Sequence, residues 1–364
     1  MTSERVGIVG TGLIGTSIAM AAVRAGCEVT AFDVDRGVLR AACEHASGVR
    51  PAASLAECAL TSTLVVVATP VTVTPSVVVE TLDANRKAIV TDAASVKSHV
   101  VREVEHLAGV EASSRFIGGH PMGGSERSGP ASASASVIDG AVWVLTPPPK
   151  PEANAIERLS AWVESLGAKP VVMDAGRHDR LVAIVSHLPQ VASTVLMGLA
   201  ATEEAGEPDI LLLAAGGFRD LTRLAASSPQ LWSEILVANR DAIGAAIELY
   251  VRRLSDLRAL VLSEARTDVE RTFGQAKRAR LSLAAKPQVR TGVAVFQVQV
   301  PDRPGALADL TAALGSADVN IEDLQIVHSP EGGRGTVHLT VADGAAPAAT
   351  RALAQAGFEP VRLA

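Results

Sequence analysis

The stretch Gly119-His120-Pro121-Met122-Gly123-Gly124 sets an imidazole among small and turn-forming residues, where it can face a ligand instead of a core. An unshifted imidazole is largely neutral near pH 7, so His120 can serve as a general base; the plainer reading is a loop histidine bonded to a backbone carbonyl. Upstream, Thr91-Asp92-Ala93-Ala94-Ser95-Val96-Lys97 places a hydroxyl after a strand end. Ser95 can orient a substrate hydroxyl or the imidazole, and it can equally cap the helix that follows. Lys97 reads as a structural residue or one at the edge of the site.

Closer to the N-terminus, the short apolar run Val6–Val9 is followed directly by Gly10-Thr11-Gly12-Leu13-Ile14-Gly15. Gly10 permits a tight turn, Gly12 lets the backbone approach a pyrophosphate, and Gly15 allows close packing of helix on strand. Leu13 and Ile14 open a helix whose N-terminal amides and positive dipole end suit phosphates. Asp33 lies 18 residues after Gly15 at the end of a second strand, where a carboxylate can bond both ribose hydroxyls. That selects NAD, since a 2′-phosphate would meet like charge; Arg36, close by, pulls the other way. Thr69-Pro70 ends a third strand and is placed on the nicotinamide side. Cys27, Cys43 and Cys58 form no CxxC pair and no metal-ligand spacing, which points to a reducing cytoplasm and to no metal.

These residues need a scaffold, and 364 residues suffice for two or three domains with real cores. With 48% hydrophobic and 20% charged residues the profile is that of a globular protein. A net charge of −6 argues against general nucleic-acid binding, so any anion site is a local cationic pocket. No segment reads as membrane-spanning, and the uncharged run 6–23 is explained by the strand, turn and helix of the glycine motif. Residues 1–176 alternate short apolar strands with helices, the pattern of a parallel doubly wound sheet. The expected strands are Arg5–Val9, Glu28–Phe32, Leu64–Ala68, Ala88–Thr91, Arg115–Gly118, Val142–Leu145 and Pro170–Met173, with Ala131–Ser136 as a surface loop. Residues 177–285 show helical periodicity and almost no alternation, and 286–292 reads as a linker. Residues 293–364 read strand, helix, strand, strand, helix, strand, a small α+β fold.

The three motifs in this order, with Ser186-His187-Leu188-Pro189-Gln190 and Gly216-Gly217-Phe218-Arg219-Asp220-Leu221-Thr222-Arg223 after them, resemble the prephenate/arogenate dehydrogenase family. The Asp302-Arg303-Pro304-Gly305-Ala306-Leu307 run and Asn320-Ile321 resemble ACT domains, which bind amino acids between paired copies. The resemblance implies a Rossmann-type NAD domain, an all-helical substrate and dimerisation domain, and an ACT-like regulatory domain. It implies that His120 accepts the proton of a cyclohexadienol C4 hydroxyl as hydride leaves C4 and the C1 carboxylate departs as CO2. Arg223 matches the family's carboxylate-binding arginine, suited to a bidentate grip. His187 would orient the pocket, although a helical histidine is often only a bonded core residue. Glu126, six residues past His120, resembles an acidic residue that gates or polarises the pocket, with a solvated carboxylate as the alternative. Many members carry a second histidine where this chain has Gln190, which leaves prephenate against arogenate open. Asp220, three residues before Arg223, could reach the substrate side chain or simply pair with Arg219 or Arg223. Prephenate is the leading substrate, arogenate or dual use the alternative, a catalytically silent amino-acid sensor the reading from another class. Tyrosine is the expected effector and a homodimer the expected assembly.

Overall fold

The computed structural model describes residues 4–123, 129–204, 206, 209–285, 293–301, 303–327 and 334–363. The chain divides into two compact units, 1–273 and 274–364. The first opens with β1 (Arg5–Val9), α1 (Leu13–Arg24), β2 (Glu28–Phe32), α2 (Arg36–His45), β3 (Val49–Pro51) and α3 (Leu55–Leu60). It continues through β4 (Leu64–Val67), α4 (Thr74–Ala84), β5 (Ile89–Asp92), α5 (Ser98–Ser113), β6 (Phe116–Pro121), β7 (Val142–Thr146), α6 (Ala155–Ser165) and β8 (Lys169–Val172).

These strands form one eight-stranded sheet in the order β3-β2-β1-β4-β5-β6-β7-β8. Leu64–Val67 is buried along its whole length, as a central strand covered on both faces must be. One face packs Ile8, Ile18, Trp143 and Leu145; the other packs Val65, Leu82, Val90 and Phe116. The sheet is not wholly parallel as the alternation suggested, because β7 runs antiparallel to β6. Among the described residues, the connection between them holds only two short 3₁₀ turns, Pro130–Ser132 and Ala135–Val137. Without a crossover helix the chain returns in the opposite sense. Nor is Ala131–Ser136 a loose surface loop: Ser134 N–H donates to Ser17 Oγ at 3.1 Å, and the Ala133 carbonyl lies 2.8 Å from His45 Nε2. The edge strand β3, three residues ending in proline, carried no alternation for sequence reasoning to detect.

The antiparallel return decides where His120 stands. Parallel pairing of β5 with β6 reaches only Thr91 and Ile117, whereas β6–β7 pairing runs on to Pro121, with His120 opposite Val144. The histidine is therefore carried on a strand, not on the loop beyond it.

After β8 the first unit is helical: α7 (Ala175–Val182), a π turn (Ala183–His187), α8 (Leu188–Glu203), α9 (Gly216–Thr222), a 3₁₀ turn (Arg223–Ala226), α10 (Pro229–Ala238), α11 (Arg240–Leu262) and α12 (Arg266–Ala285), which runs into the second unit. The helix 175–203 is, by length and composition alone, long and apolar enough to cross a membrane, which the sequence reading had not singled out. It carries His178, Asp179 and His187 on its buried side.

The second unit continues with β9 (Val293–Pro301), α13 (Ala306–Ser316), β10 (Ile321–Val327), β11 (Arg334–Ala342), α14 (Ala346–Gln355) and β12 (Pro360–Arg362), in the expected order. Its antiparallel sheet has the order β10-β11-β9-β12, and Phe296, Leu310, Leu339 and Leu353 lie in one core.

Candidate active site

The glycine turn sits between the ends of β1, β2 and β4. Gly10 has φ +94°, and a Cβ on Gly15 would stand 1.9 Å from the Gly10 carbonyl oxygen, so neither position admits a side chain. A Cβ on Gly12 would meet nothing within 4 Å, so the N-terminus of α1 faces open space, as a pyrophosphate requires. Asp33 is held at the rim of this space. Its Oδ2 accepts from the amide and hydroxyl of Thr11 at 2.7 and 3.1 Å, and its Oδ1 from the Asp35 amide at 2.9 Å. Arg36 turns elsewhere: it donates to the carbonyls of Ala52 and Ala53 at 3.2 and 2.6 Å and lies over the Phe32 ring. Thr69 and Pro70 flank the turn, with Thr69 Cγ2 3.2 Å from the Cβ position of Gly10. These residues fit a dinucleotide whose ribose is read by a carboxylate.

Beneath His120 lies a fully buried ion pair. Lys97 Nζ donates to Asp92 Oδ2 and, at 2.6 Å, to the Gly119 carbonyl; Asp92 Oδ1 accepts from the Gly119 amide at 2.9 Å. Where the β5–β6 ladder stops, these side chains hold both polar groups of the residue before His120. Burial pushes the Lys97 ammonium below its usual pKa, against the pull of Asp92. Ser95 lies in the loop between this pair, partly buried and without a side-chain hydrogen bond among the described residues. It does not cap α5. That helix starts at Ser98, and Asp179 from α7 caps it, accepting from the amides of Lys97 and Ser98 at 2.8 Å each.

Asp179 also accepts from His178. His178 Nδ1 stands 2.8 Å from Asp179 Oδ1, and His178 Nε2 stands 2.8 Å from His120 Nδ1. The result is a chain from carboxylate to imidazole to imidazole. Burial works to raise the Asp179 carboxyl, but the His178 bond and the capped amides outweigh it and hold it below its usual pKa. Burial, then the charges that His178 and Lys97 can carry, hold the His120 imidazole well below its ordinary value. His187, 1% exposed, is pushed down by burial to about 4. Both rings are therefore neutral near pH 7. His187 packs edge-on against Trp232 and meets the Asn239 amide at 3.2 Å through Nδ1; the same amide nitrogen donates to the Asp179 carbonyl at 3.0 Å.

Gln190, three residues on, donates to the Leu224 carbonyl at 2.8 Å and accepts from Ser227 Oγ at 3.4 Å. Both ends of its amide tie α8 to the short turn that carries Arg223. Arg223 and Asp220 are exposed, and Asp220 makes no ion pair among the described residues, so it is not neutralised by Arg219 or Arg223. Glu126 lies outside the described residues.

Residues 18–172 match the description "Prephenate dehydrogenase, nucleotide-binding domain", 174–275 "Prephenate dehydrogenase, dimerization domain", and 294–358 "ACT domain". A prephenate dehydrogenase of Bacillus subtilis (strain 168) is 30% identical over 349 residues, covering 92% of this chain and 91% of its own. The chain belongs to the prephenate dehydrogenase family. The A. aeolicus prephenate dehydrogenase, solved with hydroxyphenyl propionate and NAD+, superposes with a TM-score of 0.72 at 27% identity, covering 78% of this chain and 99% of that one. Synechocystis arogenate dehydrogenase superposes at 0.66 with 28% identity, covering 77% and 99%. Family membership supports NAD as the cofactor, in line with the Asp33 rim.

The sequence reading missed His178, Asp179 and Asn239. The adjacent His178-Asp179 pair, right after the last strand of the sheet, was the one available signal. Asn239 gave none, since only the fold brings it to residues 60 and 52 positions away.

Proposed function

We propose that this chain is an NAD-dependent oxidative decarboxylase that converts prephenate to 4-hydroxyphenylpyruvate. The observation that carries the reading is the buried chain Asp179–His178–His120 at the end of β6, in the same sheet that carries the dinucleotide turn. The Gly10–Gly15 turn and Asp33 would hold NAD, which would supply the acceptor for the hydride of the substrate's C4. His120 takes the proton of the C4 hydroxyl, turning that carbon toward a carbonyl, while the C1 carboxylate leaves as CO2 and the ring becomes aromatic. Ser95, which makes no side-chain hydrogen bond among the described residues, orients the hydroxyl. Arg223 binds a carboxylate of the substrate, and Gln190 holds the turn that presents it.

Prephenate is favoured over arogenate because the His187 ring is neutral and suited to an oxygen acceptor instead of an ammonium. Asp220 is the counterweight, an unneutralised carboxylate on α9 that would favour the arogenate amine. In steady-state assays following NADH, the expected result is production from prephenate, with Asp220→Asn shifting the ratio of kcat/KM toward prephenate by roughly two- to fivefold, the range of an exposed charge. No NADH from either substrate would leave the sensor reading standing. An arogenate preference untouched by the substitution would clear Asp220.

A homodimer is the second part of the reading. Among the described helical residues only Ala183, Ile243 and Ala246 form a separate buried cluster, while Val185, Val195, Leu199, Val251 and Val261 are more than half exposed. Apolar faces of this extent belong against a second copy. Light scattering behind size exclusion should give twice 37.5 kDa, and Leu199→Glu should shift it toward one copy; a monomeric parent chain would refute the assignment.

Free tyrosine is the proposed effector of the ACT domain, acting as an inhibitor at the end product's expense. The support is an amino-acid-binding type of module on an enzyme that feeds tyrosine synthesis. Calorimetry should show tyrosine binding to the full chain and none after deletion of 293–364; binding that survives the deletion relocates the site. The three cysteines are unpaired, consistent with the reducing cytoplasm in which such a pathway runs.

A further inference from the structure

We propose that Asp179 and Asn239 are positioning residues that hold the two imidazoles of the site in opposite tautomers, His120 with a bare Nε2 and His187 with a protonated one. The inference rests on the reading of His120 as the base and extends it to the hydrogen-bond polarity of the whole pocket.

The tautomer of His120 is set from Asp179. Its carboxylate already accepts from the Lys97 and Ser98 amides, so it is ionised and has only acceptor capacity to offer. His178 Nδ1 must then carry hydrogen toward it, which leaves its Nε2 as the atom that meets His120. Among the described residues His120 Nδ1 stands 2.8 Å from that Nε2; because His120 as the base needs a bare Nε2, its Nδ1 donates and His178 Nε2 accepts. A neutral His120 with hydrogen on Nδ1 has none on Nε2, which is the state a general base requires.

The tautomer of His187 is set from a backbone carbonyl, which can only accept. The Asn239 group facing the Asp179 carbonyl at 3.0 Å is therefore the amide NH2, whichever way the side chain is built. That same NH2 meets His187 Nδ1 at 3.2 Å, so Nδ1 accepts. A neutral His187 then carries its hydrogen on Nε2. Its pushed-down pKa keeps the ring neutral, so it offers a donor without a charge.

Both constraints converge on one residue. Asp179 accepts through its carboxylate on behalf of His120 and through its carbonyl on behalf of His187. The pocket is thereby divided into an acceptor, for the hydroxyl that must lose its proton, and a donor, for a carbonyl or carboxylate oxygen. An ammonium group finds nothing to bond at a protonated Nε2, which disfavours an amine substrate at that position.

The test is long-range ¹H–¹⁵N correlation spectroscopy on the full chain labelled at its eight histidines, with His120 and His187 assigned through His120→Gln and His187→Gln. In the parent chain His120 should show a protonated Nδ1 and a bare Nε2, and His187 the reverse. Either ring in the other tautomer, or His187 as an imidazolium at neutral pH, overturns the proposal, and neither measurement needs a variant to fold beyond the assignment. In Asn239→Asp the carboxylate demands a donor, so the His187 pattern should reverse while that of His120 stays. The KM for prephenate should then rise about tenfold, the loss of one good hydrogen bond, with the KM for NAD unchanged. An unreversed His187 overturns the role of Asn239. Should the chain fail to turn over prephenate at all, the tautomers remain readable, so the two readings fail separately.

Discussion

His120→Asn should lower turnover of prephenate by about 10²–10⁴-fold, the usual contribution of a positioned general base. NAD affinity should not change, because the residues that fit the dinucleotide belong to β1, α1, β2 and the end of β4. Asparagine keeps a donor that can meet His178 Nε2, so the fold around β6 should persist and the loss should lie in kcat. The pH dependence separates this from a structural defect. In the parent chain burial keeps the His120 imidazole neutral well below its ordinary 6.5, so its own protonation should not limit the rate as pH falls through 6.5. Turnover of His120→Asn should follow hydroxide concentration instead, rising with pH because the substrate hydroxyl must lose its proton unaided. Steady-state rates from pH 5 to 9 on both chains check this; near-normal turnover in the variant removes His120 from the chemistry.

The second large effect is on stability. Lys97→Met leaves Asp92 as a buried carboxylate without its counter-charge, and breaking a buried pair from one side typically removes about 3–5 kcal/mol. That is a large fraction of a domain's whole stability. The double change Lys97→Met with Asp92→Asn removes the stranded charge while keeping an acceptor for the Gly119 amide, so it should recover part of the loss. Denaturant titration of the three chains gives the comparison. A single variant within 1 kcal/mol of the parent would show that water reaches Asp92 and that the pair is not a structural clamp.

How far these positions could be read in advance depended on sequence distance. The Gly10–Gly15 turn and Asp33 are local: the backbone demands of a tight turn and the length of a βαβ unit leave their mark within about 30 residues. His120 was visible through its small neighbours and the family resemblance, but its strand was not, because an antiparallel return depends on what the intervening chain fails to form. The ACT unit was legible because alternation and helix entry there are regular. Ser95 reads as a possible helix cap, whereas the cap is Asp179, 81 residues beyond the Ser98 amide it accepts from. No local pattern encodes a partner at that distance. Gln190 illustrates a different limit. Its identity was plain, yet which neighbour its amide would meet was set by the fold of the Arg223–Ala226 turn.

The helix 175–203 contains one turn, Ala183–His187, wound more widely than the rest. In a regular α-helix the nine residues from His178 to His187 make roughly two and a half turns, which would set the two side chains on opposite sides. The wider turn reduces that winding and brings them toward a common face, where one meets the base and the other meets Asn239. Such a turn is equivalent to one extra residue in an otherwise regular helix. The count of residues between the two histidines therefore matters as much as their identity, and a change of length by one at this turn would dismantle the pocket while leaving every chemical group in place.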